Sequence, residues 1–221
     1  SSDGKDIVSC VSSALLVSRS VNRRDVEIAS NFFSKLATSS REVAEMVLKS
    51  SLTEMTKIKS DIMTTANSIA VKSILEADQT LIIPLKSILD DYVNTISMIT
   101  DYSSIRYGAM WSVLSFIPDE FIDKQALAPQ IQKTSELLSS QQSTFSESKW
   151  SEVFESVLSF ISYHPTFPHS DLIYNIATAN LNRLSEPSIS SLARFVVNSH
   201  RNSDALIDFF VNKVLTMYPG K

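Results

Sequence analysis

The alternation of apolar and polar positions is most regular over residues 146–219. Leu206, Ile207, Phe210, Val211, Val214, Leu215 and Tyr218 recur at i, i+3, i+4 and i+7, which predicts a helix with one broad apolar face. Pro219 and Gly220 then stop it, one unable to continue a helix and the other tolerant of a reversed backbone. Leu172, Ile173, Ile176, Ala177, Leu181 and Leu184 draw nearly the same stripe 34 residues earlier. The helices ahead of these two also correspond. Val153, Val157, Phe160, Ile161 and His164 align with Ile189, Ala193, Val196, Val197 and His200 at an offset of 36. Connections as short as His200-Arg201-Asn202-Ser203 predict antiparallel neighbours. A hairpin repeated at such a period leaves one face uncovered until the next stacks on it.

Upstream the same spacing continues. Ile7, Val8, Val11, Leu15 and Leu16, then Ile28, Phe32, Phe33 and Leu36, predict a further hairpin. Its Leu15-Leu16-Val17-Ser18 matches Phe195-Val196-Val197-Asn198, and Ile28, Phe32 and Lys35 match Leu206, Phe210 and Lys213. Ser39 and Glu42 have capping-box spacing, which starts the next helix there. Residues 40–77 read either as one long helix or as a broken pair. Helices follow over 81–99, with Pro84 in a first turn, over 102–117, and over 121–138, interrupted at Pro129. The hexapeptide Ser112-Val113-Leu114-Ser115-Phe116-Ile117 recurs as Ser156-Val157-Leu158-Ser159-Phe160-Ile161, 44 residues later.

These elements predict an all-α protein, a right-handed superhelical array of about five antiparallel helical hairpins. Its parts are N-terminal repeats over 1–138, a polar linker over 139–145, and hairpins over 146–221 continuous with the first part; Thr144 and Glu147 form a capping box at that junction.

Composition agrees. With 221 residues, 43 % of them apolar, the chain is sufficient for a continuous core, and three glycines leave little room for turn-rich β structure. The single Cys10 cannot form an internal disulfide and suits a reducing compartment. No apolar run reaches the roughly 18 residues of a membrane span, so no membrane insertion is expected. The first residue is Ser1, not methionine, which implies that something preceded it. The net charge of −4 is uneven: residues 76–172 hold thirteen acidic and five basic side chains, whereas 173–221 hold three and five. A basic footprint for nucleic acid can therefore exist only near the two ends.

No catalytic pattern accompanies the repeats. His164 and His169 flank Pro165 and Pro168 without a third ligand for zinc. The clusters Asp90-Asp91 and Asp119-Glu120-Asp123 lack calcium-loop spacing, and no Gly-x-Ser-x-Gly elbow or phosphate loop occurs. Tyr102, Tyr107 and Trp111 beside Arg106 read as packing between helices. The residues best placed for phosphate contact are Arg19, Arg23 and Arg24 in the first hairpin and Arg183, Arg194, Arg201 and Lys213 in the last two. Neither a cofactor, a metal nor a small-molecule substrate is expected.

Residues 171–219 resemble the heptatricopeptide-like repeats of organellar RNA-associated proteins, the group with RAP domains and FAST-kinase-like members. In that family a leucine-basic-leucine motif ends one helix, a Ser/Pro cap opens the next, and a polar turn precedes the third. Leu181-Asn182-Arg183-Leu184, Glu186-Pro187-Ser188-Ile189 and Asp204-Ala205-Leu206-Ile207 stand in those places. The resemblance implies a non-enzymatic scaffold subunit of a mitochondrial ribonucleoprotein complex, in RNA processing, editing or ribosome assembly, with other protein subunits and RNA as partners. No RAP domain is present and no catalytic residue carries over. The alternative is a HEAT- or armadillo-like adaptor in the cytosol or nucleus that touches only proteins.

Overall fold

A computed structural model describes residues 2–17, 23–57, 61–100, 105–140, 146–201 and 204–217. They form eleven α-helices: α1 (Ser2–Val17), α2 (Arg23–Ser39), α3 (Arg41–Met55), α4 (Asp61–Ala77), α5 (Lys86–Ser97), α6 (Ile105–Leu114), α7 (Lys124–Ser139), α8 (Glu147–Tyr163), α9 (Ser170–Ala179), α10 (Glu186–Asn198) and α11 (Asp204–Met217). Short 3-10 turns cover Gln79–Leu85, Asp119–Phe121 and Leu181–Arg183. No strand occurs among the described residues.

Local chemistry sets the boundaries. The Asp123 side chain accepts hydrogen bonds from the backbone N–H groups of Gln125 and Ala126 and opens α7. Ser146 and Ser185 do the same for α8 and α10, accepting from Lys149 and Ser188. Each satisfies a donor that the first helical turn leaves without an internal partner. Asp78 opens the first 3-10 turn, accepting from the Thr80 N–H at 3.0 Å and from its hydroxyl at 2.6 Å. His169 and His200 take the left-handed backbone conformation, φ 65° and 52°, just before α9 and just after α10.

Two expectations about boundaries change, and one open alternative is decided. Residue 40, not 39, precedes α3, because α2 runs on to Ser39, and Ser40 makes no side-chain capping bond. Residues 40–77 form a pair of helices, α3 and α4. Pro129 lies inside α7 on its exposed side, where the lost hydrogen bond costs least, and the helix continues through it. Thr144 and the rest of 141–145 lie outside the described residues.

The helices pack in alternation. α2 lies on α4, α4 on α6, α6 on α8 and α8 on α10, while α1 lies on α3, α3 on α5, α5 on α7 and α7 on α9. The two rows meet through α1–α4, α2–α3, α3–α4, α7–α8 and α8–α9. The packing continues from the helices before residues 141–145 to those after, since α6 meets α8 and α7 meets α9.

This arrangement corrects two sequence alignments. α2, not α1, shares the row of α8 and α10, so the first hairpin enters one helix out of phase with the last two. The likeness of Leu15-Leu16-Val17 to Phe195-Val196-Val197 reflects common helical spacing, not equivalent positions. The ends of α8 and α10 fall 35 residues apart, at Tyr163 and Asn198, rather than 36. In that register Tyr163 stacks on Phe116 beyond the end of α6, and Asn198 Nδ2 donates to the Ser162 carbonyl at the end of α8.

The interior is aromatic at its centre. α6 lies between α4 and α8 and buries Tyr107, Gly108, Met110, Trp111, Val113 and Leu114. A helix covered on several sides has no polar face to show, which is why its periodicity is weak. Trp111 packs on Phe160 with ring centroids 4.8 Å apart and edge-on to Tyr107 at 6.0 Å. Polar groups tie the helices together: the Tyr107 hydroxyl meets Thr134 Oγ1 at 2.5 Å between the rows, and Gln130 Nε2 donates to the Ser97 carbonyl within one row. Bridges of this kind fix helix register, because a buried polar atom without a partner is costly.

Candidate functional site

The basic residues expected to meet phosphate occupy different settings. Arg19 lies outside the described residues, and the Arg23 side chain is likewise not described. Arg24 is exposed on α2. Arg183, Arg194 and Arg201 share one environment: each lies over an aromatic ring of an earlier helix. Arg183 sits 4.3 Å from the Trp150 ring of α8, Arg194 4.2 Å from Tyr163 of α8, and Arg201 4.7 Å from Tyr174 of α9.

Carboxylates hold two of them further. Arg183 donates to Glu147 at 2.6 Å, and Arg201 pairs with Asp171. Each stack joins an arginine to a ring and a carboxylate on one helix, Trp150 with Glu147 on α8 and Tyr174 with Asp171 on α9. Arg194 Nη1 instead donates to Ser162 Oγ. Cation–π attraction of this kind uses the flat guanidinium face and ties neighbouring helices together. Lys213 lies 5.9 Å from Phe209 on its own helix. The sequence signals for the stacks are the aromatics at the ends of α8 and in α9, which spacing alone assigns to the core.

Tyr107 and Trp111 are buried and serve as packing. Asp119 and His164, far apart in sequence, come together. The His164 ring is buried, its Nδ1 meets the Asp119 carboxylate, and its Nε2 donates to the Leu114 carbonyl at 3.1 Å. Lys124 Nζ completes the cluster 2.7 Å from Asp119. Partial burial pulls the Asp119 carboxyl upward, but hydrogen bonds from Lys124 and His164, with their charges, outweigh it and hold the group below the usual carboxylate range. The far nitrogen of His164 is spent on a backbone carbonyl, so the imidazole has no free nitrogen to offer a substrate. On α4, burial lowers the Lys72 ammonium below the ordinary lysine value, and the nearby Glu76 and Glu155 offset part of that.

Two grooves remain. One, of about 640 Å³, runs between α7 and α9 over Trp150, with Leu138, Leu172 and Ile176 as apolar walls and Arg183 at its rim. The other, of about 430 Å³, lies between α10 and α11 and is lined by Ala193, Val196, Val197, His200, Arg201, Ile207 and Phe210. Among the described residues no group of three or more His, Cys, Asp or Glu side chains could hold a metal ion, and no helix is long and apolar enough to cross a membrane.

Comparison of the chain with protein-family models, with curated proteins and with solved structures found no match to any of them.

Proposed function

We propose that the chain is a stretch of α-α solenoid acting as a non-enzymatic scaffold whose partners are proteins. One observation carries this reading: helices two apart pack on each other in both rows, so one helix covers the apolar face of another, while Ile28 and Phe32 of α2 and Ile207 and Val211 of α11 are exposed. The stacked arginines favour proteins over RNA as the partner. Three guanidiniums expected to meet phosphate are laid on rings, and two of them are paired with carboxylates.

The test is fluorescence anisotropy of the full chain with mixed-sequence single-stranded RNA at low salt. No binding is the expected result. Binding whose affinity falls log-linearly as salt rises would overturn the protein-only reading.

A second reading places the scaffold in a mitochondrial ribonucleoprotein complex. Its support is the correspondence of Leu181-Asn182-Arg183-Leu184 and Glu186-Pro187-Ser188-Ile189 to the organellar repeat motifs. In such a complex the RNA would be held chiefly by other subunits.

A further inference from the structure

The two ends of the array carry exposed helix faces with opposite charge and matching apolar content. On α2, Arg24, Ile28, Phe32 and Lys35 fall within about a quarter-turn of one another, on the side away from the buried Ala29, Phe33 and Ala37. Ile28 is 59 % exposed and Phe32 46 %. On α11, Asp204, Ile207, Asp208 and Val211 share the face opposite the buried Leu206. Ile207 and Val211 are half exposed, at 50 % and 51 %, and Val197 beside them on α10 is 70 % exposed. Large aliphatic side chains in water at such density mark a contact surface.

Internal packing shows how such a groove is filled. α4 lies against α1, α2 and α3 together, a helix seated on the hairpin before it. The groove between Val196 and Val197 of α10 and Ile207 and Phe210 of α11 has no such helix over it, and α2 is a helix of the same row as α4 with an exposed outer side.

We propose that the chain associates head to tail with a second copy, the outer face of α2 in one molecule seating in the α10–α11 groove of the next. Ile28 and Phe32 enter the groove beside Val197, Ile207 and Val211, while Arg24 and Lys35 face Asp204 and Asp208. The inference rests on the scaffold reading. The interface is heterologous, so each added copy leaves a fresh end unless the rotation closes the series into a ring.

Sedimentation velocity of the full chain from about 1 to 100 μM tests it, the range in which an end-face contact of modest size would be populated. The unmodified chain is expected to gain mass with concentration. Chains carrying Ile28→Asp with Phe32→Asp, or Val197→Asp with Val211→Asp, are expected to run as monomers with unchanged far-UV circular dichroism. Mixed in equal amounts, these two variants retain one good end each and are expected to form a complex of two copies that grows no further. If an aspartate variant loses helix signal, charge reversal decides instead: Asp204→Lys with Asp208→Lys weakens association about tenfold, and mixing in a copy with Arg24→Asp and Lys35→Asp restores growth beyond the two-copy complex that the remaining unmodified ends allow.

A chain that stays monomeric throughout, end variants that associate like the unmodified chain, or a mixture that stays monomeric would overturn the proposal. A monomeric chain that still captures other proteins would leave the scaffold reading standing and remove only this inference.

Discussion

The guanidinium of Arg194 lies 4.2 Å from the ring of Tyr163, and the same ring packs on Phe116 at 5.7 Å. Lys72 reaches the other side of that pair, 5.9 Å from Phe116. Four side chains thus cross the row from α4 to α10 as cation, ring, ring, cation. Replacing Arg194 or Arg183 by alanine is expected to cost about 0.5–1 kcal/mol each, seen as a melting temperature lower by about 1–4 °C. The triple change of Arg194, Arg201 and Lys213 to glutamate is expected to lower it further, because two of those positions tie helices together. Melting temperatures unchanged in the single variants would show the stacks to be incidental surface contacts.

Acid stability depends on Asp119 and Asp78. Asp119 is held below the ordinary carboxylate value of 3.8 against the upward pull of its partial burial, through Lys124 and His164. Asp78 is held below it by the Thr80 hydroxyl and backbone N–H and, more weakly, by Arg41. A carboxylate with a depressed folded pKa stabilises the fold above its unfolded value, and the contribution fades as pH falls through the folded value. Urea midpoints are therefore expected to fall from about pH 4 downward. Asp119→Asn should lower the midpoint at neutral pH and flatten that acid limb. An acid limb as steep in Asp119→Asn as in the unmodified chain would place the sensitivity elsewhere.

The positions of the helices were legible from spacing, since apolar residues at i, i+3, i+4 and i+7 need only local information. Row membership was not. Both rows use the same spacing, so α1 and α2 aligned as well with α10 and α11 as with their true counterparts, and only contacts such as α2 on α4 distinguish the phase. The long reach of single contacts hid the rest. His164 and Asp119 stand 45 residues apart, and Arg183 and Glu147 stand 36 apart. The sequence displays their charges but not the rings and carboxylates that the fold brings beneath them.

Two glycines separate backbone contact from side-chain contact as the reason for a missing Cβ. A Cβ on Gly4 of α1 would lie 2.6 Å from the carbonyl oxygen of Met46 in α3, and 2.9 Å from its carbon. Backbone cannot step aside as a side chain does, so Gly4→Ala must push α1 away from α3. Overpacking of this kind costs about 1–3 kcal/mol. A Cβ on Gly108 of α6 would meet Ser156 Oγ at 3.4 Å and Glu152 Cγ at 3.7 Å, both on α8 and both in side chains able to turn. There alanine also removes a helix-interior glycine, worth up to about 1 kcal/mol. Gly108→Ala is expected to be neutral or stabilising and Gly4→Ala clearly destabilising, read as urea midpoints of the two variants beside the unmodified chain. Gly108→Leu is the control, because a side chain that size has to part α6 from α8. The reverse order for the two alanine variants would mean that α1 does not approach α3 as closely as Gly4 and Met46 do in the folded chain.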